Sequence, residues 1–65
     1  MKLIIEINTD NAAFQEYDQA GSEVGRILKD LARSVTGLSE VDLREYQGLK
    51  LRDSNGNTVG KVTVK

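Results

Sequence analysis

The stretch SEVGRILKDLARSVT, residues 22–36, decides the fold. Val24, Ile27, Leu28, Leu31, Ala32 and Val35 recur at i, i+3, i+4, i+7, i+8 and i+11, which is one face of an α-helix. The opposite face carries Glu23, Arg26, Lys29, Asp30 and Arg33. An amphipathic helix of this length is marginal alone in water, so its stripe must be buried against something. Ser22 reads as the N-cap, with Glu23 well placed at the positive end of the helix dipole. Ala20 and Val24 extend the stripe back toward Asp18, but Gly21 argues for the later start, since glycine costs about 1 kcal/mol inside a helix. Gly21, Gly25, Leu28 and Ala32 form a narrow, mostly small flank. It suits close approach to a sheet or, as the less favoured reading, to another helix.

The segments on either side supply the covering surface. Residues 2–8 alternate as a strand, with Leu3, Ile5 and Ile7 toward the helix and Ile4, Glu6 and Asn8 on the outer face. Residues 8–18 form a connection that opens with the turn formers Asn8, Asp10 and Asn11. Phe14 within it is either a plug over one end of the core or an exposed anchor for a partner. After the helix, Gly37 fits the left-handed C′ position and Leu38 its hydrophobic follower. Ser39 then reads as a second N-cap, with Asp42 as a capping-box partner and Leu38 with Leu43 as a hydrophobic staple. A short helix over residues 40–46, ended by Gly48, is the favoured reading; a strand is the alternative.

From Gly48 onward the chain reads as a β-hairpin. Asn55-Gly56 is the favoured pair for a two-residue type I′ turn. That turn sets Arg52 opposite Val59, Leu51 opposite Gly60 and Lys50 opposite Lys61. Leu49, Leu51, Val62 and Val64 then share one face, and Lys50, Arg52, Lys61, Thr63 and Val59 the other. Gly60 leaves room for a large neighbour or marks a bulge. The expected architecture is α+β: a small three-stranded sheet with one amphipathic helix packed on one face, in the order β-α-β-β, plus a short helical turn before the C-terminal hairpin. Residues 1–65 make one small domain. Strand orders 1-2-3 and 1-3-2 are both open.

A domain of 65 residues buries only about 60% of its unfolded surface. Such chains lean on disulfides, a metal or self-association. The sequence has no cysteine and no histidine, so a homodimer is the expected aid. The uncovered second face of the sheet and its two open edges point the same way. With a net charge of −1 the whole molecule presents no strong field. No apolar run reaches the roughly 20 residues of a membrane span, and Glu6 interrupts the opening run too early for a signal peptide. No membrane association and a cytoplasmic location are therefore expected.

Catalytic chemistry finds little support. Serines are present, but no histidine or cysteine stands ready to activate them. Asp10, Glu16 and Asp18 offer carboxylates, more simply read as a solvated acidic loop. The run from Asp53 to Asn57 lacks the closing glutamate of a calcium loop and is better read as a turn. No catalytic, metal or cofactor site is expected, and the chain is read as not an enzyme. Two surfaces remain as partner contacts. One is the acidic segment, Asp10, Glu16 and Asp18, with Phe14 and Tyr17. The other is the basic strip Lys50, Arg52 and Lys61, fit for an acidic protein surface or for nucleic-acid phosphates. No aromatic sits on that strip to stack bases, which disfavours single-stranded nucleic acid.

The opening strand KLIIEI, the run Asp10-Asn11-Ala12-Ala13-Phe14, the helix EVGRILKDLA and the hairpin LRDSNGNTVG together resemble a family of short uncharacterised proteins of bacteriophages and prophages. The blocks span most of the chain, and residues 36–47 form a longer segment than the family pattern carries. The resemblance implies a viral protein that acts on a bacterial host by binding a host protein, including components of host defence.

Overall fold

A computed structural model describes residues 1–15 and 20–65. The elements run β1 (Leu3–Ile7), α1 (Ala12–Gln15), α2 (Ala20–Val35), α3 (Glu40–Arg44), β2 (Lys50–Arg52) and β3 (Thr58–Val64). The three strands form one antiparallel sheet in the order β1-β3-β2. The architecture is thus the expected small α+β fold, and the order is 1-3-2. β3 takes the centre because it is the longest strand and carries Val59, Val62 and Val64. β2 has three residues, two of them cationic, and belongs at an edge.

Pairing joins Leu3 to Val64, Ile5 to Val62, and Ile7 and Leu51 to Gly60. Cross-strand neighbours share a face. Val62 is fully buried and Leu51 nearly so, which identifies this as the covered side. Phe14, Ile27, Leu31, Leu51, Val59 and Val62 form the core, and Ile7, Ala13, Ala20, Val24, Val35 and Tyr46 pack around it. Phe14, 1% exposed, is the plug and not the exposed anchor. It enters on the single turn of α1, where its N–H donates to the Asn11 carbonyl (3.0 Å).

α2 begins at Ala20, ahead of the expected cap, so Ser22 lies inside the helix. The line facing the sheet is Ala20, Val24, Ile27, Leu31 and Val35. Leu28 stays 42% exposed, and Ala32 is exposed too. The small flank makes no close approach: a Cβ added at Gly21 or Gly25 would meet no atom within 4 Å among the described residues. The helix is turned toward its bulkier side, which buries more apolar area. The second start is as expected. The Ser39 hydroxyl accepts the Asp42 N–H (3.3 Å), and Leu38 and Leu43 are both half-buried. Gly37 has φ of 85° at the end of α2. The Tyr46 hydroxyl donates to the Ser34 carbonyl (3.1 Å), fastening the last turn of α2 to the segment after α3.

The hairpin is present, but its loop has three residues instead of two. The Gly56 N–H donates to the Asp53 carbonyl (3.0 Å) and the Asp53 N–H to the Asn57 carbonyl (2.9 Å). Gly56, at φ of 83°, takes the left-handed position that this turn-plus-bulge requires. The Asp53 carboxylate is the cause, because it accepts the N–H groups of Asn55 (2.9 Å) and Asn57 (2.8 Å) and so closes the wider loop. The expected pairs Lys50–Lys61 and Leu51–Gly60 hold, whereas Arg52 faces Thr58 across a register shift. That shift turns Val59 into the core, 6% exposed, instead of onto the outer face. Gly60 is the tight point of the sheet: a Cβ there would lie 1.9 Å from the Glu6 carbonyl oxygen.

Candidate functional site

The outer face of the sheet bears the candidate partner residues that stay together. Lys50, Lys61 and Glu6 lie in one row across all three strands, Ile4 is paired with Thr63 in the next, and Lys2 with Lys65 in the last. Four lysines and one glutamate make this face cationic, although the whole chain carries −1. Ile4 and Thr63 are half-buried at its centre. The Lys50–Lys61 juxtaposition of like charge is unfavourable, and Glu6 lies opposite Lys61 on its other side. An open depression of ≈ 620 Å³ is bounded on this side by Glu6, Lys50, Lys61 and Thr58.

Arg52, expected in the strip, is occupied elsewhere. Its Nη1 donates to the Gly56 carbonyl (3.3 Å) and the Thr58 hydroxyl (3.2 Å), bracing the hairpin. Lys2 and Lys65 extend the cationic face at the opposite end of the sheet. They were not singled out together, because only the 1-3-2 strand order sets them opposite each other.

The acidic segment is not assembled into a comparable surface. Asp10 is exposed in a turn where its N–H donates to Asn8 Oδ1 (2.9 Å). Phe14 is buried. Glu16, Tyr17 and Asp18 lie outside the described residues. Glu23, placed on the solvent face from the sequence, is 9% exposed. Its Oε1 accepts the Ser54 N–H (2.7 Å) and Arg26 Nη2 (2.9 Å). Arg26 also donates to the Arg52 carbonyl (2.8 Å) and Asp30 (3.0 Å), and Arg33 donates to Asp30 (3.0 Å). The spacing of these four charges was visible on the helix. Their reach to the hairpin was not, because it depends on how α2 is rotated. The Arg26 pKa is raised, first by the hydrogen bond to Glu23, which outweighs loss of water, and then by the charges of Glu23 and Asp30.

Asp53 is 4% exposed, held between the turn and Asn11. Loss of water alone pushes its carboxyl up. The Asn57 N–H, the Asn11 and Asn57 side-chain amides and the Asn55 N–H together overcome this and hold it below its ordinary 3.8. Asn11 Nδ2 (3.2 Å) thereby ties the start of α1 to the hairpin. No group of three or more acidic, cysteine or histidine side chains able to hold a metal ion occurs among the described residues. No described helix is long and apolar enough to cross a membrane. No family model, curated protein or solved structure matches the chain.

Proposed function

We propose that this chain is a non-enzymatic, homodimeric binding protein that uses its uncovered sheet face against an acidic surface on a protein of a bacterial host, in the host cytoplasm. The observation that carries the reading is the segregation of Lys2, Lys50, Lys61 and Lys65 onto one face on which no helix packs among the described residues. Half-buried Ile4 and Thr63 give that face an apolar centre with a charged rim, the layout of a protein interface. The resemblance to phage and prophage proteins supports a host target, with a defence component as the target class.

Nucleic acid is the second reading, favoured by the same lysines and disfavoured because no stacking ring lies among them in the described residues. Phe14 is core, and Tyr46 is bonded to Ser34 on the helix side. A photo-crosslinking residue at Thr63, carried by the full chain inside bacteria, separates the two. The expected result is a discrete host-protein adduct that disappears in the K50E/K61E variant. Adducts with nucleic acid, or none that depend on Lys50 and Lys61, overturn the proposal.

A further inference from the structure

The edge of β1 is a self-recognition site: we propose that a second copy of this chain adds its own β1 antiparallel to it, with Ile4 opposite Ile4. This rests on the homodimer reading above and names its interface. Lys2 and Lys65 exchange hydrogen bonds in both directions (2.6 and 2.8 Å), and the Asn8 N–H donates to the Val59 carbonyl (2.7 Å). In an antiparallel ladder the bonded positions alternate. The N–H and C=O groups of Lys2, Ile4 and Glu6 therefore face β3, and those of Leu3, Ile5 and Ile7 face outward. No backbone or side-chain partner reaches these outward groups of Leu3 and Ile5 among the described residues. Leu3 is 36% exposed and Ile5 40%, although both lie on the covered side of the sheet. β1 pairs with β3 over its whole length without a register shift, so nothing twists this edge away from a new strand.

Two symmetric registers satisfy the outward groups, centred on Ile4 or on Ile5. Centring on Ile5 sets Glu6 against the partner's Ile4 and Lys2 against the partner's Asn8. Centring on Ile4 sets each Lys2 against the partner's Glu6 and each Leu3 against the partner's Ile5. The run Lys2-Leu3-Ile4-Ile5-Glu6 is thus self-complementary in charge on the outer face and in apolar contact on the other. Charge selects the Ile4 register. The product is a continuous six-stranded sheet with the helices of both copies on the same side.

The test combines light scattering on size exclusion, over a dilution series, with cysteine cross-linking. The chain has no native cysteine to interfere. E6K sets like charges opposite at two places and is expected to weaken the dimer roughly tenfold or more, as is K2E. The double variant K2E/E6K restores opposite charges and is expected to recover dimerisation, as is a mixture of the two single variants. In the Ile4 register, the cysteines of I4C face each other as a non-hydrogen-bonded pair about 4.5 Å apart at Cα, within disulfide reach. Those of I5C are diagonal, at about 7–8 Å, and out of reach. Mild oxidation is therefore expected to cross-link I4C and not I5C. Cross-linking of I5C alone overturns the register. A dimer indifferent to E6K and K2E, without I4C cross-linking, overturns the edge site while leaving the homodimer standing. A monomer at every concentration overturns both.

Discussion

The two edges of the sheet are built on opposite plans. β2 is short, interrupted by the register shift after Leu51, and includes the cations Lys50 and Arg52. Its Arg52 carbonyl is already taken by Arg26 from α2. β1 is five residues long, regular and largely apolar, with exposed Leu3 and Ile5. One edge carries a register shift and a carbonyl already bonded by a helix side chain, both of which hinder strand addition, and the other carries neither. A chain this small can guard an edge only with parts it already has. Here the helix that supplies the core also supplies the guard, through Glu23 and Arg26, and it serves one edge alone.

The contrast can be broken first from the open side. Gly60→Ala places a methyl group into the Glu6 carbonyl and forces β1 away from β3. We expect a loss of about 3 kcal/mol, the upper part of the overpacking range. Urea unfolding measures the loss, and faster amide exchange at Ile4 and Glu6 locates it on β1. Unchanged exchange there would show that the sheet absorbs the strain elsewhere.

Breaking the guarded side should cost less. Glu23→Ala leaves the Ser54 N–H without its acceptor and frees Arg26 from one of its carboxylates. A loss of about 1–3 kcal/mol is expected, with the Ser54 amide exchanging faster and the β1 amides unaffected. An unaltered Ser54 amide would remove Glu23 from its place as the clamp.

Acid sharpens the comparison with the smallest effect. Folding holds the Asp53 pKa below its ordinary 3.8, so the unfolded chain takes up the proton first as pH falls. The stabilisation is complete above the unfolded value and is lost as pH drops through the folded one. Melting temperature should therefore fall at pH below about 3.8, and D53N should flatten that part of the profile. The guarded edge, which Asp53 anchors through the turn, should loosen before β1 does in the same titration.

Much of this was legible in the residues. The period of α2, the caps at Gly37 and Ser39, and the hairpin at Asn55-Gly56 are local signals, and each appears within a few residues of its expected place. What local pattern did not determine was how the elements meet. The asparagine–glycine pair specified a turn, but the carboxylate of Asp53 two residues earlier widened it and moved Val59 from the outer face into the core. The amphipathic stripe specified a helix, but its rotation was settled by Ile27 and Leu31 against the sheet and by Glu23 against the hairpin. Of the strip Lys50, Arg52 and Lys61, the hairpin register sets Lys50 beside Lys61, while Arg52 bonds Gly56 and Thr58. Strand order, which no local signal encodes, added Lys2 and Lys65 at the far end of the same face.

The pairing of Lys2 with Lys65 has a practical consequence. Residues 2 and 65 lie side by side on neighbouring strands. A short peptide link would turn β1 and β3 into a hairpin and close the backbone into a ring, leaving every contact described above in place. The natural point to reopen such a ring is the exposed turn at Ser54 to Gly56, which would make the present centre of the sheet the first strand of a rearranged chain.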